Sequence, residues 1–248
     1  MPQVKANGLT FEYESFGRDS DPAILLIRGG ASQMTLWPTA FCEGLAVKGF
    51  RVIRFDNRDI GLSTHLNQLG APDVMGAMAA RMSGQAVKAP YALDDMANDA
   101  ASLLDGLSIK RAHIVGASMG GMIAQLVAAK HPEHTLSLIS IMSTTGRADL
   151  PPGRPEAMAA LTTPPASDSR GDRIAAGLRI ANALASPGFK DTEEDMRKDV
   201  EAAVDRAPFD PAGVARQLLA IFAAPPRNGL LKTVKAPTLV IHGADDPI

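Results

Sequence analysis

A recurring apolar run, stopped each time by a glycine or a polar turn and followed by a stretch of helical period, constrains this chain more than any other feature. "AILLIRGG" (residues 23–30) is continuously apolar until Arg28 and the glycines, the pattern of a strand buried on both faces. "RVIRFDNR", "RAHIVGAS", "LSLISIMS" and "APTLVIHG" read as further strands, the last two also buried. Between them, "PTAFCEGLAVKGF" predicts a short helix ending at Gly49. "YALDDMANDAASLLDGL" puts Met96, Ala100, Leu103, Leu104 and Leu107 on one helical face, and "GGMIAQLVAAKH" is Ala-rich and helical. Such alternation predicts a mostly parallel sheet with helices on both faces, and it directs function to the carboxyl ends of the strands. Ahead of the first buried strand, "VKANGLTFEYESFG" has two alternating runs around Asn7-Gly8, the signal for an antiparallel hairpin at a sheet edge.

From Gly146 the texture changes. "GRADLPPGRPEAMAALTTPPASDSRGDR" is rich in Pro, Ser and charge, and no buried strand follows for many residues. Within it, "EEDMRKDVEAAVDRA" aligns Met196, Val200, Ala203 and Val204 opposite a charged face, predicting an amphipathic helix. "PAGVARQLLAIFAA" is another helix, halted at Pro225 and Pro226. The reading is a core over 1–146, a helical cap over 147–208, and a return to the core over 209–248.

With 25 Lys and Arg against 27 Asp and Glu, the net charge of -2 leaves no basic stripe for nucleic acid. The start lacks a basic region followed by an apolar run, and no stretch reaches the length of a membrane span, so a soluble cytoplasmic protein without membrane or nucleic-acid partners is expected. The single cysteine, Cys42, excludes an internal disulfide and reads as a small buried helix residue.

The strongest chemical signal is "HIVGASMGGMIAQ". It contains Gly116-x-Ser118-x-Gly120, with an apolar strand before it and a helix after it, which is the context this motif requires. A tight strand-to-helix turn strains the serine backbone. Small residues at Gly116 and Gly120 let neighbouring backbones approach, and the helix aims free amides and its positive end at the site.

With this motif, the segments "LLIRGG", "FDNRDIGLS" and "LVIHGADDP" make the chain resemble the α/β-hydrolase family along nearly its whole length. "RGGASQMTLWP", "RFDNRDIGLST" and "TLVIHGADDPI" most resemble its small-molecule ester hydrolases of the aclacinomycin methylesterase type. The resemblance implies that Ser118 is the nucleophile and that the backbone amides of Gly30 and Met119 form the oxyanion hole. It also implies that Asp246, selected over Asp245 by the spacing Gly-x-x-Asp, orients a catalytic histidine. Arg28 stands where the family usually has histidine, and the expectation for it is a structural ion pair. In "DNRDIGLS", Asp56, Arg58 and Ser63 read as a loop that bonds its own backbone.

In this family the histidine follows the acid, yet only Pro247 and Ile248 follow Asp246. His131 and His134 read as helix-end caps. His113 lies about five residues, or ~16 Å of extended chain, from Ser118. His65 is expected in solvent, and His242, at the end of the acid strand, is the one plausible stand-in but is too close in sequence to Asp246 for a triad to orient easily. The expectation is therefore a chain shortened before its histidine, without the family's last strand and helix. "TLVIHG" would then be an apolar edge open to another chain or copy. No metal-ligand spacing, dinucleotide fingerprint or phosphate loop occurs, so neither metal nor cofactor is expected. Met34, Trp37, Met158 and Met196 read as core, or as the lining of a pocket for a bulky apolar ester. The function expected is hydrolysis of a small or medium, largely apolar ester. Lactonase activity, a cofactor-free haloperoxidase-like activity, or a catalytically dead ligand-binding module are the alternatives.

Overall fold

The structure is a computed structural model that describes residues 2–147 and 149–248. Its strands are β1 (Gln3–Ala6), β2 (Leu9–Phe16), β3 (Ala23–Ile27), β4 (Arg51–Phe55), β5 (Ala112–Ala117), β6 (Thr135–Ile141) and β7 (Thr238–Ile241). Its helices are α1 (Thr39–Val47), α2 (Val74–Met82), α3 (Leu93–Gly106), α4 (Met119–Lys130), α5 (Pro155–Thr162), α6 (Arg170–Leu184), α7 (Glu193–Arg206), α8 (Pro211–Ala223) and α9 (Asn228–Leu231). The described residues divide into two compact units, one of residues 1–148 with 212–241 and one of 149–211 with 242–248.

The first unit holds a seven-stranded sheet in the order β1-β2-β4-β3-β5-β6-β7. Pairing is antiparallel for β1–β2 and β2–β4 and parallel from β4 onward. The opening hairpin turns through Asn7 and Gly8, both at positive φ (46° and 77°), the combination that matches the twist of two antiparallel strands. Every residue of β3 is buried, as its unbroken apolar run requires. On one face, Phe11, Leu25, Ile53 and Ile114 pack with Met96, Leu103 and Leu104 of α3 and Ile123 and Val127 of α4. On the other, Ile24, Leu26, Val52 and Val115 pack with Trp37 and with Cys42 of α1.

One expectation needs correction. "TLVIHG" does return to the sheet, but β7 is exposed at all four positions, because it pairs with β6 on one side only at the sheet's edge. Residues 149–211 hold α5 and α6 as well as the expected α7, and α6 and α7 start at Ser169 and Thr192, whose hydroxyls accept the amides of Asp172 and Asp195. In α6 the apolar positions are largely alanine, so burying its face leaves little trace in the sequence.

Among the described residues no helix is long and apolar enough to cross a membrane.

Candidate active site

β5 ends at Ala117 and α4 begins at Met119, so the chain reverses direction at one residue, Ser118. Its φ of 56° and ψ of -123° lie where an L-residue is strained, while its neighbours Ala117 and Met119 are buried and Ser118 itself is exposed. The turn is held by the Ser118 amide donating to the Ile141 carbonyl at 2.9 Å. The Ser118 carbonyl accepts from Gly121 at 2.9 Å and from the Ser143 hydroxyl at 2.8 Å.

Two glycines make this reversal sterically possible. A Cβ on Gly116 would come 2.0 Å from the Gly120 carbonyl oxygen, and one on Gly120 would come 2.1 Å from the Ile27 carbonyl oxygen. Neither backbone can retreat, since both belong to packed regular elements.

β3 brings a second glycine pair to the same place. A Cβ on Gly29 would lie 3.1 Å from Ser118 Cβ, and one on Gly30 would lie 3.7 Å from Met119 Sδ. Neither the Gly30 amide nor the Met119 amide donates to another group among the described residues. The structure therefore brings Ser118 together with both backbone positions that the sequence suggests for an oxyanion hole.

The loop after Gly30 is fixed by a residue that sequence reasoning missed. Gln217 of α8, 1% exposed, accepts the Ala31 amide at 2.9 Å through Oε1 and donates to the Arg58 carbonyl at 2.8 Å through Nε2. Ala31 has a φ of 55°, so the loop is held in a conformation an alanine resists. The residues meet across 186 positions of sequence, and a glutamine within an apolar helix face was the one available sign.

The "DNRDIGLS" segment acts as scaffold to the same loop. Asp56 accepts the amides of Met34 at 2.7 Å and Leu62 at 3.0 Å, and Asn57 donates to the Arg28 carbonyl at 3.0 Å. The Ser63 hydroxyl donates to the Asp56 carbonyl at 2.6 Å. Arg58 makes a bidentate pair with Asp99 at 2.6 and 2.7 Å and stacks on Tyr91, whose hydroxyl burial pushes far up its titration range. Arg216 of α8 makes a second bidentate pair, with Asp59 at 2.9 and 2.7 Å, and neither side chain is exposed.

Arg28 departs from expectation. Among the described residues no carboxylate lies within ion-pair distance of it; its guanidinium carbon sits 5.5 Å from the centre of the Trp37 ring. The carboxylates of Glu14, Asp56 and Asp99 are engaged by Arg54, by backbone amides and by Arg58.

Cys42 is fully buried, and its thiol is pushed up by that burial, which opposes thiolate chemistry. His113 meets the Ser137 hydroxyl at 2.7 Å and lies edge-on to Phe50, with burial lowering its proton affinity. His131 is the C-cap of α4, its amide donating to the Val127 carbonyl at 2.8 Å, and the rings of His131 and His134 reach Asn98 at 2.9 Å and the Lys110 carbonyl at 3.1 Å. His65 is half-buried rather than free in solvent, 3.1 Å from the Gly61 carbonyl.

In the second unit, residues 242–248 join α5 through the Arg154 amide, which donates to the Pro247 carbonyl at 2.6 Å. Here His242 Nε2 stands 3.1 Å from Asp246 Oδ2, a pairing that their four-residue separation argued against. A turn in which the Asp246 amide donates to the Gly243 carbonyl folds the loop back far enough to allow it. Asp246 is half-buried, whereas Asp245 is exposed.

A family model described as alpha/beta hydrolase fold matches residues 22–248, and the chain belongs to that family, whose members are generally hydrolytic enzymes. Over 135 residues the chain is 34% identical to a rhodomycin D methylesterase of Streptomyces sp. (strain C5); the match covers 54% of this chain and 39% of that protein, so less than half of the relative is spanned. It is 25% identical over 248 residues to 3-oxoadipate enol-lactonase 2 of Acinetobacter baylyi, covering 99% of this chain and 79% of the other. Among solved structures, a thermophilic esterase from Thermogutta terrifontis superposes with a TM-score of 0.70 at 23% identity, covering 100% of this chain and 81% of that one.

Proposed function

We propose that this chain carries the nucleophile and oxyanion hole of a serine ester hydrolase acting on a small or medium, largely apolar ester. The observation that supports it most is Ser118, exposed at a φ of 56° between a buried strand and a buried helix start. Strain is retained at such a residue where its geometry serves chemistry.

In this reading Ser118 Oγ attacks the ester carbonyl carbon as a histidine takes its proton. The carbonyl oxygen becomes an oxyanion that accepts from the amides of Gly30 and Met119, a donor type worth about 3–4 kcal/mol each in the transition state. The α4 dipole adds to this, since its positive end faces the developing charge. Collapse of the intermediate expels the alcohol, which takes up the proton from the imidazolium, and water then hydrolyses the acyl-enzyme by the same steps. Asp246 serves to fix the imidazole. The resemblance to a methylesterase and to an enol-lactonase supports ester chemistry and leaves a lactone as the cyclic variant of the same substrate.

A second reading, a ligand-binding module without turnover, is favoured by the histidines. His65, His113, His131 and His134 each bond to a group other than Ser118. A fluorophosphonate probe separates the two. Covalent labelling of the wild type that disappears in Ser118→Ala supports the hydrolase, and an inert wild-type serine supports the module. Labelling of His242→Gln reports whether that imidazole activates the serine.

A further inference from the structure

The two glycines that follow Met119 have different tasks. Gly120 admits the Ile27 carbonyl, whereas Gly121 lies within α4 with no positive φ to require it, where glycine is otherwise unfavourable. A Cβ on Gly121 would come 2.5 Å from Ser143 Cβ and 2.7 Å from Ser143 Oγ, so the helix is cut away at one position to seat Ser143.

Ser143 lies just past the end of β6, and this end of the strand holds both polar groups of the Ser118 backbone. The Ile141 carbonyl accepts the Ser118 amide at 2.9 Å, and the Ser143 hydroxyl donates to the Ser118 carbonyl at 2.8 Å. Between these two residues Met142 has a φ of 40°, an unfavourable value for so bulky a side chain, so the clamp is itself built on a strained turn. The seat is braced from behind. Arg227, 3% exposed, donates through Nη2 to the Thr144 carbonyl at 2.8 Å and through its backbone amide to the Thr145 carbonyl at 2.8 Å. Its Nε donates to Gln125 of α4 at 3.1 Å, which ties the segment after β6 to the helix that Ser118 starts.

The Ser118 carbonyl and the Met119 amide belong to one planar trans peptide, so they point in opposite directions and turn together. The Gly121 and Met122 amides reach that carbonyl from within α4, at 2.9 and 3.2 Å, and the Ser143 hydroxyl reaches it from outside the helix. Without that hydroxyl, strain at Ser118 can relax by rotation of its ψ, and the Met119 amide swings with it.

We propose that Ser143 is a positioning residue for the oxyanion hole: its hydroxyl fixes the Ser118–Met119 peptide so that the Met119 amide stays aimed at the developing oxyanion. This rests on the reading of Ser118 as the nucleophile of an ester hydrolase.

Ser143→Ala should lower kcat on 4-nitrophenyl butyrate about tenfold or more and change KM less than about twofold, because the aim of an oxyanion donor matters in the transition state and not in substrate binding. Inhibition by a trifluoromethyl ketone, whose hemiketal with Ser118 carries the oxyanion, should weaken by a similar factor. Ser143→Thr, which keeps a hydroxyl, should restore most of the loss. In protein labelled with [15N]methionine, the Met119 amide resonance, assigned by its absence in Met119→Leu, should shift in Ser143→Ala whether or not an ester is turned over.

Wild-type kcat in Ser143→Ala overturns the proposal, and so does a loss of kcat that leaves trifluoromethyl ketone inhibition unchanged. Should Ser143→Ala not fold, Ser143→Cys, a weaker donor of similar size, takes its place in each measurement. If the wild type hydrolyses no ester, a shifted Met119 resonance leaves the clamp standing and removes the hydrolase reading, and an unmoved one removes both.

Discussion

The Gln217 carboxamide accepts the Ala31 amide at 2.9 Å and, with its other end, donates to the Arg58 carbonyl at 2.8 Å, so one side chain of α8 ties the loop after β3 to the loop after β4. The loop it holds begins at Gly30, whose amide must be aimed if it is to receive an oxyanion. Gln217→Leu keeps the volume but leaves a buried amide and a buried carbonyl unsatisfied, costing about 1–3 kcal/mol. The expected outcome is a folded protein with a modest loss in urea stability and a kcat on 4-nitrophenyl butyrate lowered about tenfold or more, with KM little changed.

Strain at Ser118 predicts an inverse relation between stability and reactivity. Ser118→Gly and Ser118→Ala should both lose fluorophosphonate labelling, but only glycine relaxes a φ of 56° paired with a ψ of -123°. Relief of about 1–3 kcal/mol of strain exceeds glycine's extra chain entropy of about 0.5–1 kcal/mol, so Ser118→Gly should melt above Ser118→Ala. Equal melting temperatures would contradict the strained turn.

The Arg216–Asp59 pair is a test of the scaffold alone. Both side chains are fully buried, and the pair also fixes the Leu66 amide and the Gly70 carbonyl. Arg216→Met leaves a carboxylate buried without its cation, which costs about 3–5 kcal/mol. Chemical denaturation should show that loss, with a smaller one in the Arg216→Met, Asp59→Asn double variant.

His113 predicts the acid side of the stability profile. Burial holds its folded proton affinity below that of the unfolded chain, so between the two values the unfolded state binds more protons. Its contribution is therefore fully present above the unfolded histidine pKa of about 6.5 and is lost as pH falls through that value toward the lower folded one. Melting temperatures between about pH 5 and 8 should fall on the acid side more steeply in wild type than in His113→Phe.

How much of this was legible in the sequence depended on distance along the chain. The strand runs, the Asn7-Gly8 turn and the Gly116-x-Ser118-x-Gly120 reversal are local: each is set by steric freedom or apolar period within about ten residues. Arg28 was misread because a guanidinium's partner is chosen in space. The sequence shows the acids but not which of them are already engaged. His242 and Asp246 were separated too readily, since the turn at Gly243 that brings them within 3.1 Å depends on backbone geometry.

By itself, then, the sequence determined a parallel sheet, its edge hairpin and a strained serine at a strand end, because periodicity and glycine placement act through neighbours in the chain. Only the tertiary structure decided what surrounds that serine. Gln217 reaches Ala31 across 186 residues, and Trp37 rather than a carboxylate lies against Arg28, since long-range contacts follow from how elements pack and leave no spacing to read.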